Sequence, residues 1–202
     1  MPMQPILRGE FVALRPLAVE DAERTFRWRQ GERALNLNPG APTVEAQRAW
    51  IAARPASEYN FIIELLDGRP VGMLSLVGVD TAHRHAEPGR FLIGEEEATR
   101  GVPAAVEAMK LLYAFAFDTL GLVRLHGTIA SDNTAIHKWQ LYLGMKEEGR
   151  LRNHYFINGH FQDAICMGLL EEEYRKVSLP RMRVLIAAGR GATPPPTKGA
   201  SA

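Results

Sequence analysis

Apolar positions along the chain change period several times, and each change marks an element. Residues 11–17 form a short apolar run that reads as a strand, and residues 21–29 place Ala22, Thr25, Phe26 and Trp28 at near-helical spacing. Gly, Asn and Pro recur through residues 31–42, which predicts irregular chain. Thr43 then caps a helix to about Ala53, with Ala46, Trp50 and Ile51 on one side and Pro55 beyond its end. Two apolar runs, 59–66 and 70–79, are split by Asp67-Gly68-Arg69, a hairpin signal, and a third strand at about 87–94 completes an antiparallel meander.

From residue 102 the period lengthens. Val106, Met109, Leu112, Tyr113, Ala116, Phe117 and Leu120 lie on one face of a helix of about five turns that Gly121 stops. Residues 123–130 are the next strand, and a helix between two strands allows a parallel crossover. A shorter helix, 133–143, ends at Gly144. Strands follow at 145–150 and 155–169, the second broken by the hairpin dipeptide Asn158-Gly159. Residues 179–188 form a further apolar helix that either closes the domain or covers a homodimer face, and residues 191–202 read as a disordered tail. No internal repeat and no linker between two cores is visible, so residues 1–190 are expected to be a single domain.

Composition narrows the picture. The chain has 202 residues and is 46% hydrophobic, enough for a full core. Lysine and arginine total 24 against 23 acidic residues, a formal charge of +1, which supplies no electrostatic pull toward nucleic acid. The one cysteine, Cys166, excludes an intrachain disulfide and reads as a small sheet side chain in a reducing compartment. The N-terminus lacks an apolar run behind a basic start, and no stretch is long enough to span a bilayer, so a cytoplasmic protein without membrane association is expected.

The helix starting near Val102 is the strongest candidate for binding a ligand. Its first turn offers backbone N–H groups without intrahelical partners, Gly101, Ala104 and Ala105 leave the approach open, and Arg100 adds a cation. Pro103 also suits a first helical turn. Residues 83 to 87 place His83, His85 and Glu87 on one face of an extended segment; no fourth ligand is evident, so no metal is expected.

Three stretches carry a resemblance: residues 117–122 (Phe-Asp-Thr-Leu-Gly-Leu), 132–135 (Asp-Asn-Thr-Ala) and 144–149 (Gly-Met-Lys-Glu-Glu-Gly), continued by Tyr155, Asn158-Gly159 and Asp163. Over residues 7–172 the chain resembles the GNAT superfamily of N-acetyltransferases. It is most similar to enzymes acetylating the N-termini of ribosomal proteins, with amino-sugar nucleotide acetyltransferases next. The resemblance implies an α/β fold with a mixed, mostly antiparallel sheet of about seven strands, helices on both faces and a V-shaped cleft. It also implies acetyl coenzyme A as co-substrate, with a small-molecule or peptide amine as acceptor. Arg100 and Ala105 match the family's pyrophosphate loop, while Pro103 stands where the family has glycine. By the same carry-over Gly101, Val102, Pro103, Ala104 and Ala105 surround the pyrophosphate, Lys138 lies near phosphate, and Asn133 contacts the pantetheine. The strand holding Phe91, Leu92 and Ile93 splays from the strand at 128–130 to admit the pantetheine arm.

Glu87 stands where similar enzymes carry a glutamate that takes the amine proton, directly or through water; its other reading is an ion pair with Arg84 or Arg90. His83, His85, Trp28 and Tyr155 are assigned to the acceptor side, with Trp28 and Trp50 alternatively core residues. His126 and His137 are further candidate bases or hydrogen-bonded structural histidines. Many relatives carry an acid tyrosine seven residues after the asparagine; Gln140 stands there, and Tyr142 lies about 200° round the helix, a packing position. No acid is identifiable from the sequence. Loss of the loop glycine and of that tyrosine leaves a second reading open, a non-catalytic acyl-CoA-binding or sensor protein on the same fold.

Overall fold

The structure is a computed structural model that describes residues 5–31, 34, 40–55, 57–157 and 159–190. The irregular segment expected at 31–42 lies mostly outside these residues, as do Asn158 of the expected hairpin dipeptide and the expected tail at 191–202. The element order is β1 (Leu7–Arg8), β2 (Val12–Pro16), α1 (Ala22–Arg29), α2 (Val44–Ala52), β3 (Tyr59–Leu65), β4 (Pro70–Asp80), β5 (His85–Ile93) and α3 (Glu96–Thr99). There follow α4 (Ala104–Ala114), β6 (Arg124–Ala130), α5 (Thr134–Tyr142), β7 (Lys146–Ile157), β8 (His160–Leu170), α6 (Glu171–Glu173) and α7 (Leu179–Gly189).

All eight strands belong to one sheet in the order β1-β2-β3-β4-β5-β6-β8-β7, antiparallel throughout except for β5 and β6. Two differences from the expected seven strands have local causes. Leu7–Arg8 adds a two-residue edge strand paired with β2. Residues 146–157 form one strand where two were expected, because an irregularity between Leu151 and Tyr155, with Asn153 at φ 49°, absorbs the polar residues without ending the pairing to β8.

The central strands are buried on both faces. On β3, Phe61 and Ile63 face the larger core and Ile62 faces a smaller cluster with Trp28, Met73 and Leu92. α1 covers that smaller cluster through Trp28. Arg15 positions α1 by gripping the buried Asp21 carboxylate with both terminal nitrogens, at 2.6 and 2.8 Å, while its Nε donates to Glu64 at 2.6 Å. Thr43 caps α2 as expected, accepting from the Ala46 N–H at 3.1 Å.

On the opposite face α4 and α7 cover the sheet. The long helix expected from 102 begins at Ala104, with Pro103 as the flanking residue, and its α-helical part ends at Ala114 in one π-type turn, Phe115–Thr119. Gly121 then turns at φ 65°. The apolar helix at 179–188 closes the chain's own core: Met182 and Ile186 of α7 are buried in the same cluster as Leu112 and Tyr113 of α4. At its end Gly189 lies so close to Pro103 that a Cβ there would stand 2.5 Å from the proline Cδ.

One charged side chain ties α4 to the sheet edge. Glu107, fully buried, accepts from the backbone N–H groups of Glu10, Phe11 and Val12 at 2.8, 2.7 and 2.9 Å. These are charge-assisted bonds to donors that nothing else in the turn satisfies. Glu107→Ala strands three buried or half-buried donors at about 1 to 3 kcal/mol each. Thermal unfolding is therefore expected at least about 6 °C below wild type, taking ~3 kcal/mol at ~2 °C per kcal/mol; a melting temperature within 2 °C of wild type (roughly 1 kcal/mol) would mean the three bonds contribute little.

Candidate active site

The site begins where β5 and β6 stop pairing. Their parallel ladder covers His85 with Arg124 and Ala86 with Leu125, and nothing further. One residue past Glu87, β5 carries Pro88, which has no N–H to donate. Gly89 and then Arg90 follow. At Arg90, φ is 53° and two residues of β5 oppose one of β4, so this is a bulge that bends the strand. The bulge also resets the alternation. Ala86 and Phe91, five apart, both face the α4 side, whereas strict alternation would put them on opposite faces. Glu87 faces the other side, as does Leu92, which packs with Trp28.

A cavity of about 240 Å³ fills the gap and passes through the sheet. On the α4 side its wall is Met109, Leu112 and Tyr113 of α4 with Ile136, Trp139 and Gln140 of α5. On the other side stand Glu87, His126, Thr128 and Tyr155. Side chains from both faces of the sheet thus border one cavity between β5 and β6.

The Glu87 carboxylate rests against Gly127, where a Cβ would come within 3.4 Å of it. Burial raises its pKa, and the nearby Arg90 charge only partly opposes this. The ion pairs considered for Glu87 do not form. Arg84 donates to the Gly121 carbonyl at 2.8 Å, and Arg90 is held by Glu58 at 2.7 Å and Asn60 at 2.9 Å. His126 meets His85 through Nε2 and Nδ1 at 3.1 Å. Burial, followed by the His85 and Arg124 charges, lowers the pKa of His126, with Glu148 opposing. Tyr155 and Thr128 share a hydroxyl–hydroxyl bond of 2.5 Å.

The residues singled out by sequence divide accordingly. Glu87, Phe91, Asn133 and Tyr155 line the cavity, and His85 touches it through His126. Asn133 is also the N-cap of α5, its side chain accepting from the Ile136 N–H at 3.4 Å. His83 is exposed and stacks on His85 at 6.3 Å. Trp28 stands outside the cavity: its indole is buried against Gly94 and donates to Glu95 at 2.8 Å, so the core reading holds for it. Trp50 lies under the Arg54 and Arg90 guanidiniums, 4.0 and 5.0 Å from its ring centroid. Tyr142 is 46% exposed, stacks on Trp139 and does not line the cavity. His137 pairs with Glu147 at 2.6 Å. Lys138 is exposed on α5.

Residues 100–105 lie beyond the cavity, at the far end of α4. Gly101 turns at φ 77°, Arg100 is exposed and paired with Glu97 at 2.6 Å, and Pro103 sits one residue before the helix. The proline's missing N–H therefore falls outside the first turn, and Ala104, Ala105 and Val106 keep their donors. Sequence reasoning missed Tyr113 and Gln140 as cavity residues. The helical period placed Tyr113 on a buried face without distinguishing core from cavity. Among the described residues no cluster of three or more His, Cys, Asp and Glu side chains is placed to hold a metal ion, and no helix is long and apolar enough to cross a membrane.

The profile of the acetyltransferase (GNAT) domain family matches residues 12–146. The chain is 34% identical over 119 residues to a spermidine N(1)-acetyltransferase of Escherichia coli, covering 58% of this chain and 61% of that protein. It is 33% identical over 110 residues to the putative ribosomal N-acetyltransferase YdaF of Bacillus subtilis, covering 54% and 58%. The chain thus spans about three fifths of the length of these curated relatives. Among solved structures, a putative acetyltransferase of T. thermophilus superposes with a TM-score of 0.72 at 28% identity, covering 91% of this chain and 98% of the other.

Because burial disfavours the ionised form of Glu87, the folded chain holds that proton more tightly than the unfolded chain does. Its contribution to stability is therefore greatest in acid and declines as pH rises through the ordinary carboxylate range, about 4.3, to the raised folded value. Glu87→Gln removes the ionisation. The variant is expected to melt above wild type at about pH 8 and level with it near pH 4; a variant that melts lower at both pH values would show that the carboxylate is not strained by burial.

Proposed function

The chain belongs to the GNAT acetyltransferase domain family, and on that premise we propose that it transfers an acetyl group from acetyl coenzyme A to the primary amine of a small molecule. The observation that carries this reading is the cavity through the sheet, with a desolvated carboxylate on one side and the α4–α5 wall on the other. An amine must lose a proton as its nitrogen attacks, and Glu87 combines the position and the raised pKa for that task. Coenzyme A supplies the acetyl group as its thioester.

The binding roles follow from what the fold leaves unpaired. On the edges of β5 and β6 that face each other, backbone groups of residues 91–93 and 128–130 have no β5–β6 pairing at the splay and need other partners; the amides of a pantetheine arm provide them, with Asn133 and the Phe91 ring flanking. The free amides of Ala104, Ala105 and Val106 and the helix dipole suit the pyrophosphate, and Gly101 keeps its approach open. Arg100 closes over it once exchanged from Glu97, a switch between exposed partners of little cost. His83, His85, His126 and Tyr155 border the acceptor.

The acceptor is read as a small monoamine. The Escherichia coli relative is named for spermidine, a polyamine. Among the described residues, however, the cavity lining offers one carboxylate, Glu87, with Arg90 beside it, which gives a polycation little to bind. A protein N-terminus and an amino sugar share the chemistry of a single amine on a larger body.

Calorimetric titration with acetyl coenzyme A, followed by thiol release with a panel of amines, tests the proposal. Micromolar binding, thiol release with a monoamine exceeding that with spermidine, and a loss of about 100-fold or more in kcat for Glu87→Gln are expected. Binding without thiol release with any amine would instead support the non-catalytic acyl-CoA-binding reading. Undiminished turnover in Glu87→Gln would remove that residue as the base.

A further inference from the structure

The Arg90 guanidinium is built into the cavity on the same side of the sheet as Glu87. Its backbone is left-handed at the β5 bulge, φ 53°, a conformation costly for a non-glycine residue, and such bulges re-aim a side chain. Arg90 lines the cavity. It reaches Asn60, which alternates with Phe61 along β3 and so lies opposite α4. A guanidinium has five N–H donors. Nη1 gives one to Glu58 Oε2 at 2.7 Å and one to Asn60 Oδ1 at 2.9 Å, and Nη2 gives one to Glu58 Oε1 at 3.2 Å. Among the described residues, no acceptor takes the Nε–H or the second Nη2–H. These two donors lie side by side on one edge of the guanidinium plane, the fork that a carboxylate or phosphate accepts with two oxygens.

Positive charge gathers around Arg90. The guanidinium carbons of Arg54 and Arg90 stand 4.0 and 5.0 Å from the Trp50 ring centroid, and Arg54 shares Glu58 with Arg90 at 3.5 Å. Arg29, the last residue of α1, is half-buried. Burial and then the Arg90 charge lower its pKa, so two guanidiniums repel each other in partly desolvated surroundings. Among the described residues, then, three arginines stand near Glu58 and Glu87, and burial biases Glu87 toward its protonated form. A cleft bordered by an excess of one sign draws the opposite charge. An oxyanion gains there both the Coulomb attraction and the open fork, whereas a second cation gains neither.

We infer that the acceptor amine carries an oxyanion of its own, a carboxylate or a phosphate, which the open edge of Arg90 binds with the Arg29 charge in support; this deepens the acetyl-transfer reading and rests on it. Glu87 and Arg90 lie on the same strand, and the backbone between them spans at most about 11 Å. An amine held at Glu87 therefore brings an oxyanion a few bonds away within reach of Arg90. Arg90 selects the acceptor and touches no reacting atom. Glu58 and Asn60 position it, and their bonds to Nη1 and Nη2 fix the direction of the open edge before the acceptor arrives.

Thiol release from acetyl coenzyme A with matched amines tests this. The probes are β-alanine against β-alanine amide and phosphoethanolamine against ethanolamine; each pair differs in the oxyanion, and the two pairs separate carboxylate from phosphate. Wild type is expected to favour the anionic member of at least one pair by about 10-fold or more in kcat/KM. Arg90→Lys keeps the charge and loses the fork, and is expected to cut that preference about 10-fold, chiefly through KM for the anionic amine. Arg29→Gln leaves the Arg90 bonds to Glu58 and Asn60 in place and is expected to cut it about threefold. Wild type that treats the members of both pairs alike, or prefers spermidine to all four, overturns the proposal while leaving acetyl transfer standing. So does an equal loss on both members of a pair in Arg90→Lys, or, where that variant does not fold, an unchanged preference in Arg29→Gln. Wild type that releases no thiol with any amine overturns both readings.

Discussion

The rest of the structure depends on the early end of the β5–β6 ladder. Two residue pairs join these strands, while β6 continues beside β8 through seven pairs, from Arg124–Leu170 to Ala130–Ala164. The sheet is thereby held together at one end and open at the other. A gap in the middle of a buried sheet is costly, because it exposes backbone groups that an intact ladder would satisfy. Pro88, Gly89 and the Arg90 bulge build that gap into β5, and Glu58 and Asn60 hold the Arg90 side chain in place. The bulge does a second thing. By inserting one residue it lets Ala86 and Phe91 share the α4 face, so β5 keeps an apolar side against the helix before and after the break.

The rigidity required around such a gap comes from contacts made outside it. Glu107 fastens α4 to the β1–β2 turn, and α7 packs Met182 and Ile186 into the core behind α4. The close approach of Gly189 to Pro103 joins the end of α7 to the start of α4. Proline at that position therefore has a packing partner, and its place before the first helical turn leaves the donors of Ala104, Ala105 and Val106 intact. With the first turn of α4 held in this way, the side chains that line the cavity from its middle are anchored by the chain's own core.

Electrostatics at the cavity work against stability and toward chemistry. Glu87 is desolvated without an ion-pair partner, since Arg84 and Arg90 are engaged elsewhere, and His126 is kept toward its neutral form by burial and by His85. On the opposite wall Tyr113 is fully buried beside the Gln140 carboxamide, and burial raises the pKa of its hydroxyl. Three titratable groups shifted by burial around one cavity mark it as a candidate functional site.

Local pattern was enough to locate most elements. The Asp67-Gly68-Arg69 hairpin, the Thr43 cap and the stop at Gly121 are short-range events decided by turn chemistry and by helical or strand period, which neighbouring residues carry. Glu87 was legible as a candidate through the resemblance alone, because it stands where similar enzymes carry a glutamate that takes the amine proton. Other features could not be read this way. The continuity of β7 through Asn153, the engagement of Arg90 by Glu58, the burial of Trp28 outside the cavity and the burial of Glu107 against residues 10–12 all depend on partners distant in sequence. Tyr113 and Gln140 are 27 positions apart on different helices, and nothing in either segment separates a core-facing side chain from a cavity-facing one. The chain alone determined the order of elements, because period, caps and turn chemistry are carried by neighbouring residues; only the packing of α4 and α5 over the open sheet decided which buried side chains would line the cavity, because that depends on partners from distant segments.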